Sequence, residues 1–314
     1  MVMFVVRRLI SGAVLMLVVS VGTFFLAHLA IGDPTAALVS GASNQATLEA
    51  KREQIGLDRP LLEQFWDWFS ELLQGNLGVS WSGSPTPLND ELAGRFPVTL
   101  AMVVYGMVLM IVVGAVFGIL AGIRPGGWWD RAITWLSVIF FSLPGFLISI
   151  VLIYVFIVEL RWFPLQYQMP QAKGIGAWIA SLTMPAISLA LGGIVMLAAQ
   201  LRNAIVTANN SDWVRTLRSR GLKNASIALH LLRNAAPAAL TIVALMFVSL
   251  LSGSVILETM FTLPGIGAMT QLASSQGNIP VILALTVLSV LFVVIVNFLL
   301  DLLLGWINPK ARVK

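Results

Sequence analysis

Six windows of this chain contain no Asp, Glu, Lys or Arg: Leu9–Ile31, Phe96–Ile123, Ala132–Val158, Gly174–Leu201, Asn234–Leu257 and Ile279–Leu300. About 20 consecutive apolar residues suffice for one α-helix to cross the hydrocarbon core of a bilayer, so each window predicts a membrane span. Inside lipid every backbone N–H and C=O must be satisfied within its own segment, which leaves helices as the only use for runs of this length. Composition agrees. Of 314 residues, 58% are hydrophobic and 11% charged, and the mean hydropathy is +0.90. A soluble domain carries roughly a quarter of its residues as charges, so this chain cannot cover itself with a water-soluble surface. Disorder, a disulfide scaffold and a nucleic-acid-binding domain are excluded on the same grounds, whatever the pI near 10.0 suggests. The absence of cysteine removes thiolate metal sites and cysteine nucleophiles.

The first window follows Arg7 and Arg8 but exceeds the roughly 7–15 residues of a signal-peptide core, and no small-residue cleavage site follows it, so it reads as a retained helix. Orientation comes from the bases. With the N-terminus in the cytoplasm, thirteen of the 19 Lys and Arg fall inside, against Asp130, Asp212 and Asp301; six fall outside, against eleven acids. Cytoplasmic loops carry the excess of Lys and Arg, so both termini are expected inside.

Three connecting segments are large enough for a task. From Gly32 to Arg95, outside, Leu61, Leu62, Phe65, Trp66, Phe69, Leu72 and Leu73 recur at helical spacing after Pro60 and before Gly75. This predicts an amphipathic helix that either lies as a lid on the spans or offers a docking surface to an external partner, for which Asp58, Arg59, Trp66 and Phe69 are the candidates. From Arg202 to Arg233, inside, Ser211 or Asp212 can cap a short helix with Trp213, Val214 and Leu217 on one side and Arg215, Arg218 and Ser219 on the other. Gly221 can end that helix, and Asn224 can begin a second one through Leu231 and Leu232, with Pro237 near the start of the fifth span. Two helices joined by a Gly turn and presented to the cytoplasm predict a docking element; a plain positive-inside loop needs neither an apolar stripe nor a Gly break.

The third segment, Glu258–Asn278, is uncharged after its first residue. Its Leu263-Pro264-Gly265-Ile266-Gly267 run cannot easily continue a helix, because Pro lacks a donor and Gly is flexible. Both a re-entrant element and an ordinary turn fit it. Pro144 and Gly145 predict a kink in the third span, either a packing feature or, with Phe141 and Phe146 beside it, a wall of a path. No G-x-x-x-x-G-K-[ST], H-E-x-x-H or G-x-S-x-G is present, so no ATP cradle, zinc protease or hydrolase nucleophile is expected. The acids lie at or beyond span ends, Glu159, Glu258 and Asp301 being nearest, which disfavours an ion-coupled carrier. No motor is visible in the chain.

Several motifs then resemble one family. They are Arg7-Arg8-Leu9; Gly32-Asp33-Pro34; Gly56-Leu57-Asp58-Arg59-Pro60-Leu61 with Gln64-Phe65 and Gly75-Asn76-Leu77-Gly78-Val79-Ser80; Arg95-Phe96-Pro97-Val98-Thr99-Leu100; Asp212 to Leu222 followed by His230, Leu232-Arg233-Asn234 and Pro237; Pro264-Gly265-Ile266-Gly267; Asn297 to Leu303; and Asn308-Pro309-Lys310-Ala311-Arg312. Over nearly the whole length the chain resembles the permease subunits of ABC importers, in particular the dipeptide/oligopeptide permease family. Two departures stand out: the usual Ala-Lys-Gly of the coupling loop reads Ser219-Arg220-Gly221, which keeps the charge, and an acid of the Gly-Asp-Leu-Gly run is Asn76.

The resemblance implies an all-α polytopic membrane protein of six transmembrane helices. Residues 1–31 would hold the N-terminus and first span, 32–95 an external loop domain, and 96–314 a five-helix core with the coupling loop at 202–236. Coupling to an ATPase would fall on Asp212, Trp213, Arg215, Thr216, Arg218, Arg220, Gly221, Leu222, His230 and Asn234. Candidates for the path or gate are Phe141, Pro144, Phe146, Glu258, Pro264, Gly265 and Gly267. The chain would be a non-catalytic transport subunit in a bacterial plasma membrane, without a cofactor or metal of its own and without nucleic acid. Its implied partners are a homologous second permease, two cytoplasmic ATPases that bind ATP and Mg, an external solute-binding lipoprotein, and lipid. Peptide is the expected solute, with glutathione or a nickel chelate as alternatives.

Overall fold

The computed structural model describes residues 2–38, 45–82 and 86–307. Among them all regular structure is helical apart from one antiparallel bridge between Val79 and Pro87. In chain order the helices are α1 (Val2–Ile31), α2 (Thr35–Leu38), α3 (Gln45–Gln54), α4 (Leu61–Leu73), α5 (Leu88–Ile123), α6 (Trp128–Ser142) and α7 (Gly145–Leu152). A π-helical segment, Ile153–Glu159, continues α7, and α8 (Pro170–Asn209), α9 (Asp212–Ser219), α10 (Asn224–Met260), α11 (Ile266–Gln276) and α12 (Ile279–Ile307) follow. Five helices, α1, α5, α8, α10 and α12, are long and apolar enough to span, and α6 with α7 makes a sixth if the pair is counted as one broken span.

That pair carries the kink expected at Pro144 and Gly145, as a full break of the helix rather than a bend. Leu143 and Pro144 are extended, with ψ near 132 and 133, and the two helices meet at 104°. A residue before proline is pushed out of the helical region, and proline brings no N–H to rejoin it. Other prolines do not break their helices: Pro97, Pro185 and Pro237 lie inside α5, α8 and α10. Two further boundaries move. The second span begins at Leu88 rather than Phe96, and the second helix expected after Gly221 is the first three turns of α10 itself, running unbroken from Asn224 through Pro237.

The chain forms two compact units, residues 2–99 with 264–294, and 100–263 with 295–307 among those described. In the second of these α8 is the central element, packed along α10 and against α6 and α7. Gly106, Gly114, Gly118 and Gly122 repeat down one face of α5 and let its backbone approach α8. A Cβ at Gly118 would stand 2.8 Å from the Ala198 carbonyl oxygen, and one at Gly122 would stand 2.9 Å from Ile205 Cβ. Small residues at such spacing are how membrane helices gain contact when lipid supplies no hydrophobic drive between them.

In the other unit, Phe24 and Phe25 of α1 meet Phe65, Trp68 and Phe69 of α4, with Ile279 and Leu283 completing the cluster. Centroids of Phe24 and Phe65 are 5.3 Å apart edge to face, and those of Phe65 and Phe69 are 5.6 Å apart and stacked, the geometries that ring quadrupoles favour. The amphipathic helix is therefore present, rotated from the face read off the sequence: Trp68 joins the cluster while Trp66 is 62% exposed. A second cluster joins Leu88 and Leu92 of α5, Ile266, Met269 and Ala273 of α11, and Val281 and Leu285 of α12. In the Leu263–Gly267 run, Leu263–Gly265 is non-helical while Ile266 and Gly267 open α11: Gly265 is extended at the start of that helix, and Thr99 Oγ1 accepts the Ile266 N–H at 2.9 Å.

Candidate functional site

Helix α9 is eight residues long, too short to hold itself in water, so its position depends on tertiary packing. Val214 supplies it. That side chain is fully buried against Leu201, Ile205 and Ala208 of α8 and Ile227, Leu231 and Ala235 of α10, with Leu217 and Leu222 alongside. Trp213, Arg215, Thr216, Arg218 and Arg220 face out, as does Asp212. The expected apolar side of Trp213, Val214 and Leu217 is thus half right: Trp213 is 37% exposed and belongs to the outer face.

Both ends of α9 are fixed. Ser211 occupies the cap position but makes no cap bond; its hydroxyl donates to the Ala208 carbonyl and so ties the turn to α8. At the other end Gly221 has φ +74, the left-handed conformation that only glycine adopts without strain. Leu222 N–H then donates to the Leu217 carbonyl at 3.3 Å. Arg218 reaches back to Asn209 Oδ1 at 2.6 Å, and Arg215 stands 3.5 Å from Asp212. Asn209 escaped the sequence reading, since nothing local marks a partner nine positions away. The exposed His230 and Asn234 lie on α10, one to three turns beyond its start. The turn between α8 and α10 is therefore a rigid projection with a basic outer face and an apolar root.

The same unit contains an ion pair absent from the sequence reading. Asp130, 6% exposed at the start of α6, accepts from Arg202 of α8 through Nε at 2.8 Å and Nη2 at 2.9 Å, and from the Gly126 N–H at 2.7 Å. Bidentate pairing of this kind fixes orientation as well as charge.

The path and gate candidates separate. Pro144 and Phe146 stand at the α6–α7 break, Phe146 being exposed, and Glu258 is fully buried on α10. Pro264, Gly265 and Gly267 belong to the other unit, where Gly267 is buried in α11. The Phe141 side chain and the Asn308–Arg312 run lie outside the described residues.

Of the docking candidates, Asp58 is exposed, and Arg59 donates to Asp67 at 2.5 Å and to Glu63 at 3.3 Å. The hydrogen bond to Asp67, then its charge, raises the Arg59 guanidinium above its ordinary value. A cleft of about 440 Å³ beside them is lined by His28, Lys51, Trp68, Glu71 and Trp81, among others. Its wall is held by Asn278, 2% exposed, which donates to Ser80 and Ser82 hydroxyls at 2.9 Å and accepts the Trp81 N–H at 3.3 Å. Among the described residues no group of three or more His, Asp or Glu could hold a metal.

Comparison with known proteins places this arrangement. Residues 1–103 match the N-terminal portion of binding-protein-dependent transport system membrane components, and residues 114–313 match the binding-protein-dependent transport system inner membrane component. Over 311 residues, 98% of this chain and 99% of the relative, the sequence is 34% identical to a probable peptide ABC transporter permease protein of Sinorhizobium fredii. Over 312 residues, 99% of each chain, it is 33% identical to glutathione transport system permease proteins of Escherichia coli K12 and Shigella dysenteriae. The chain belongs to the family of binding-protein-dependent transport system inner membrane components, the permeases of ABC importers.

Proposed function

We propose that the protein is one permease of a peptide importer, forming half of the solute path beside a homologous second permease. It has no catalysis and no cofactor of its own. ATP and Mg are bound by two cytoplasmic ATPases, which grip the outer face of α9 through Trp213, Arg215 and Thr216 and the following turn through Arg220, with Leu222 holding that turn to the apolar root and His230 and Asn234 at the margin. Closure of the ATPases moves α9, and its buried root carries that motion into α8 and α10. An external solute-binding lipoprotein delivers the peptide at the 32–95 side, near Asp58, Arg59 and Trp66. Both termini then face the cytoplasm of a bacterial plasma membrane, in keeping with the positive-inside distribution.

The observation that carries this reading is the construction of α9: a basic face held outward by one fully buried valine and closed by a left-handed glycine. Peptide is favoured as solute by the names of two relatives, one a peptide permease and one a permease for glutathione, itself a tripeptide. The test is charge reversal at Arg215 and Arg220 in the reconstituted complex. Both side chains are exposed, so insertion is expected to persist while solute-stimulated ATP hydrolysis and uptake fall together. Undiminished ATP-driven uptake in that variant would remove the coupling assignment.

A further inference from the structure

Gly192 lies in the middle of α8, where the packing does not require a glycine; Gly145 at the start of α7 and Gly176 near the start of α8 are equally open. A Cβ at its neighbour Gly193 would lie 2.5 Å from Met110 Sδ, and those at Gly114 and Gly118 would meet backbone oxygens, but one at Gly192 would meet nothing within 4 Å. The residue is exposed and helical. A helix-interior glycine costs about 1 kcal/mol relative to alanine, and at Gly192 it leaves open space beside the helix.

That space is a mostly apolar cleft of about 260 Å³, walled by Phe140 of α6, Leu189 and Met196 of α8, and Met246 and Leu250 of α10, with Ser249 as its one polar side chain. Met196, Ala199 and Asn203 follow Gly192 at spacings of four, three and four, which is one face of a helix. Ala199 and Asn203 line a second cleft of about 550 Å³ with Thr134 and Ser137 of α6. The hydroxyls of Thr134 and Ser137 donate back to the carbonyls of Asp130 and Ile133 at 2.9 and 2.8 Å, which leaves oxygen lone pairs to accept from a visitor. Asn203 Oδ1 accepts from Arg202 at 2.9 Å, and its NH₂ is left as a donor. The charged groups on these clefts, Asp130 and Arg202, neutralise each other. Other outward faces differ: the exposed residues of α5 between Leu100 and Ile123, and of α12 from Leu291 to Leu303, are aliphatic throughout.

We propose that the transported solute passes along the α8 face Gly192–Met196–Ala199–Asn203, between the hydroxyls of α6 and Ser249 of α10. This rests on the permease reading and deepens it. A face that is apolar and flexible at the Met196 cleft and offers hydroxyl and amide groups at the Asn203 cleft, with no net charge, suits a solute whose constant feature is its peptide amides and whose side chains vary. The path of this subunit thus includes the α8 face.

The chain contains no cysteine, so single cysteines report without background. In the complete complex in proteoliposomes, Gly192→Cys, Asn203→Cys and Ser249→Cys are each exposed to a charged, membrane-impermeant methanethiosulfonate, and modification of this chain is followed by mass. The thiolate is the reacting form and hydrocarbon suppresses it by at least one pK unit, so these sites are expected to react about tenfold faster or more than Val112→Cys on the aliphatic face. Equal rates at all four positions would overturn the proposal and assign the clefts to lipid or to the second permease. Loss of ATP-driven uptake in the unsubstituted complex, assayed alongside, would instead remove the permease reading.

Discussion

Arg202 of α8 grips Asp130 of α6 through two hydrogen bonds, at 2.8 and 2.9 Å, across 72 positions of sequence. Asp130 sits at the first turn of α6 and also accepts the Gly126 N–H, so the pair fixes the α5–α6 turn and the docking of α6 on α8 together. Removing one partner of such a pair leaves a charge almost without water. Arg202→Met is expected to destabilise the protein by about 2–4 kcal/mol, somewhat under the range for fully buried pairs because the Arg202 side chain is 30% exposed. Thermal melting in detergent measures it. Arg202→Lys should recover only part of the loss, since an ammonium cannot present the bidentate fork; equal stability of the Lys variant and the parent would show that charge alone matters.

Close approach of α5 to α8 depends on Gly118. A side chain there meets Ala198 backbone at 2.8 and 3.0 Å, and backbone cannot rotate away. Gly118→Val should cost about 1–3 kcal/mol as overpacking and lower the melting temperature, while Val116→Ala on the exposed face changes little. A Gly118→Val melting temperature equal to that of the parent would contradict the close packing.

Gly221 closes α9 at φ +74. Gly221→Trp adds both backbone strain, about 1–2 kcal/mol, and bulk beside the proposed ATPase contact. Membrane insertion is expected to be normal, with uptake and stimulated ATP hydrolysis abolished. Gly221→Ala carries the strain without the bulk and should retain more activity, so the two variants separate a bent turn from a blocked socket.

Asn278 organises the 80–82 segment through three hydrogen bonds. Asn278→Ala leaves the Trp81 N–H and two serine hydroxyls to find other partners. Faster hydrogen exchange confined to residues near 76–82, with the α9 region unchanged, is the expected signature. Unaltered exchange there would mean that the segment is held by its aromatic contacts.

Asp33 accepts from the Thr35 hydroxyl at 2.6 Å and the Thr35 N–H at 3.0 Å, and stands 3.5 Å from Arg52. The Thr35 hydroxyl bond, then the backbone bond, holds its carboxyl below the ordinary 3.8. A depressed folded value means that the stabilisation is complete above the unfolded value and is lost as pH falls through the folded one. Asp33→Asn should therefore melt below the parent at pH 7; the gap should begin to narrow as pH falls below about 4 and close only below the depressed folded value, where Asp33 too is neutral.

The uncharged windows by themselves determined the class, because a bilayer leaves the backbone few alternatives and apolar length is read directly from the residues. Local chemistry also determined the closure of α9 at Gly221 and of α4 at Gly75, where a positive φ requires glycine. The sequence could not decide which prolines break a helix. Pro144 does and Pro237 does not, since the cost of a lost hydrogen bond is set against packing along the whole helix. Nor could it reveal Asp130 with Arg202, or the clefts along the α8 face, because residues so far apart in sequence share no periodicity. Only the packed helices bring them together, and only there does Gly192 differ from Gly193: one faces open space, the other a methionine sulfur.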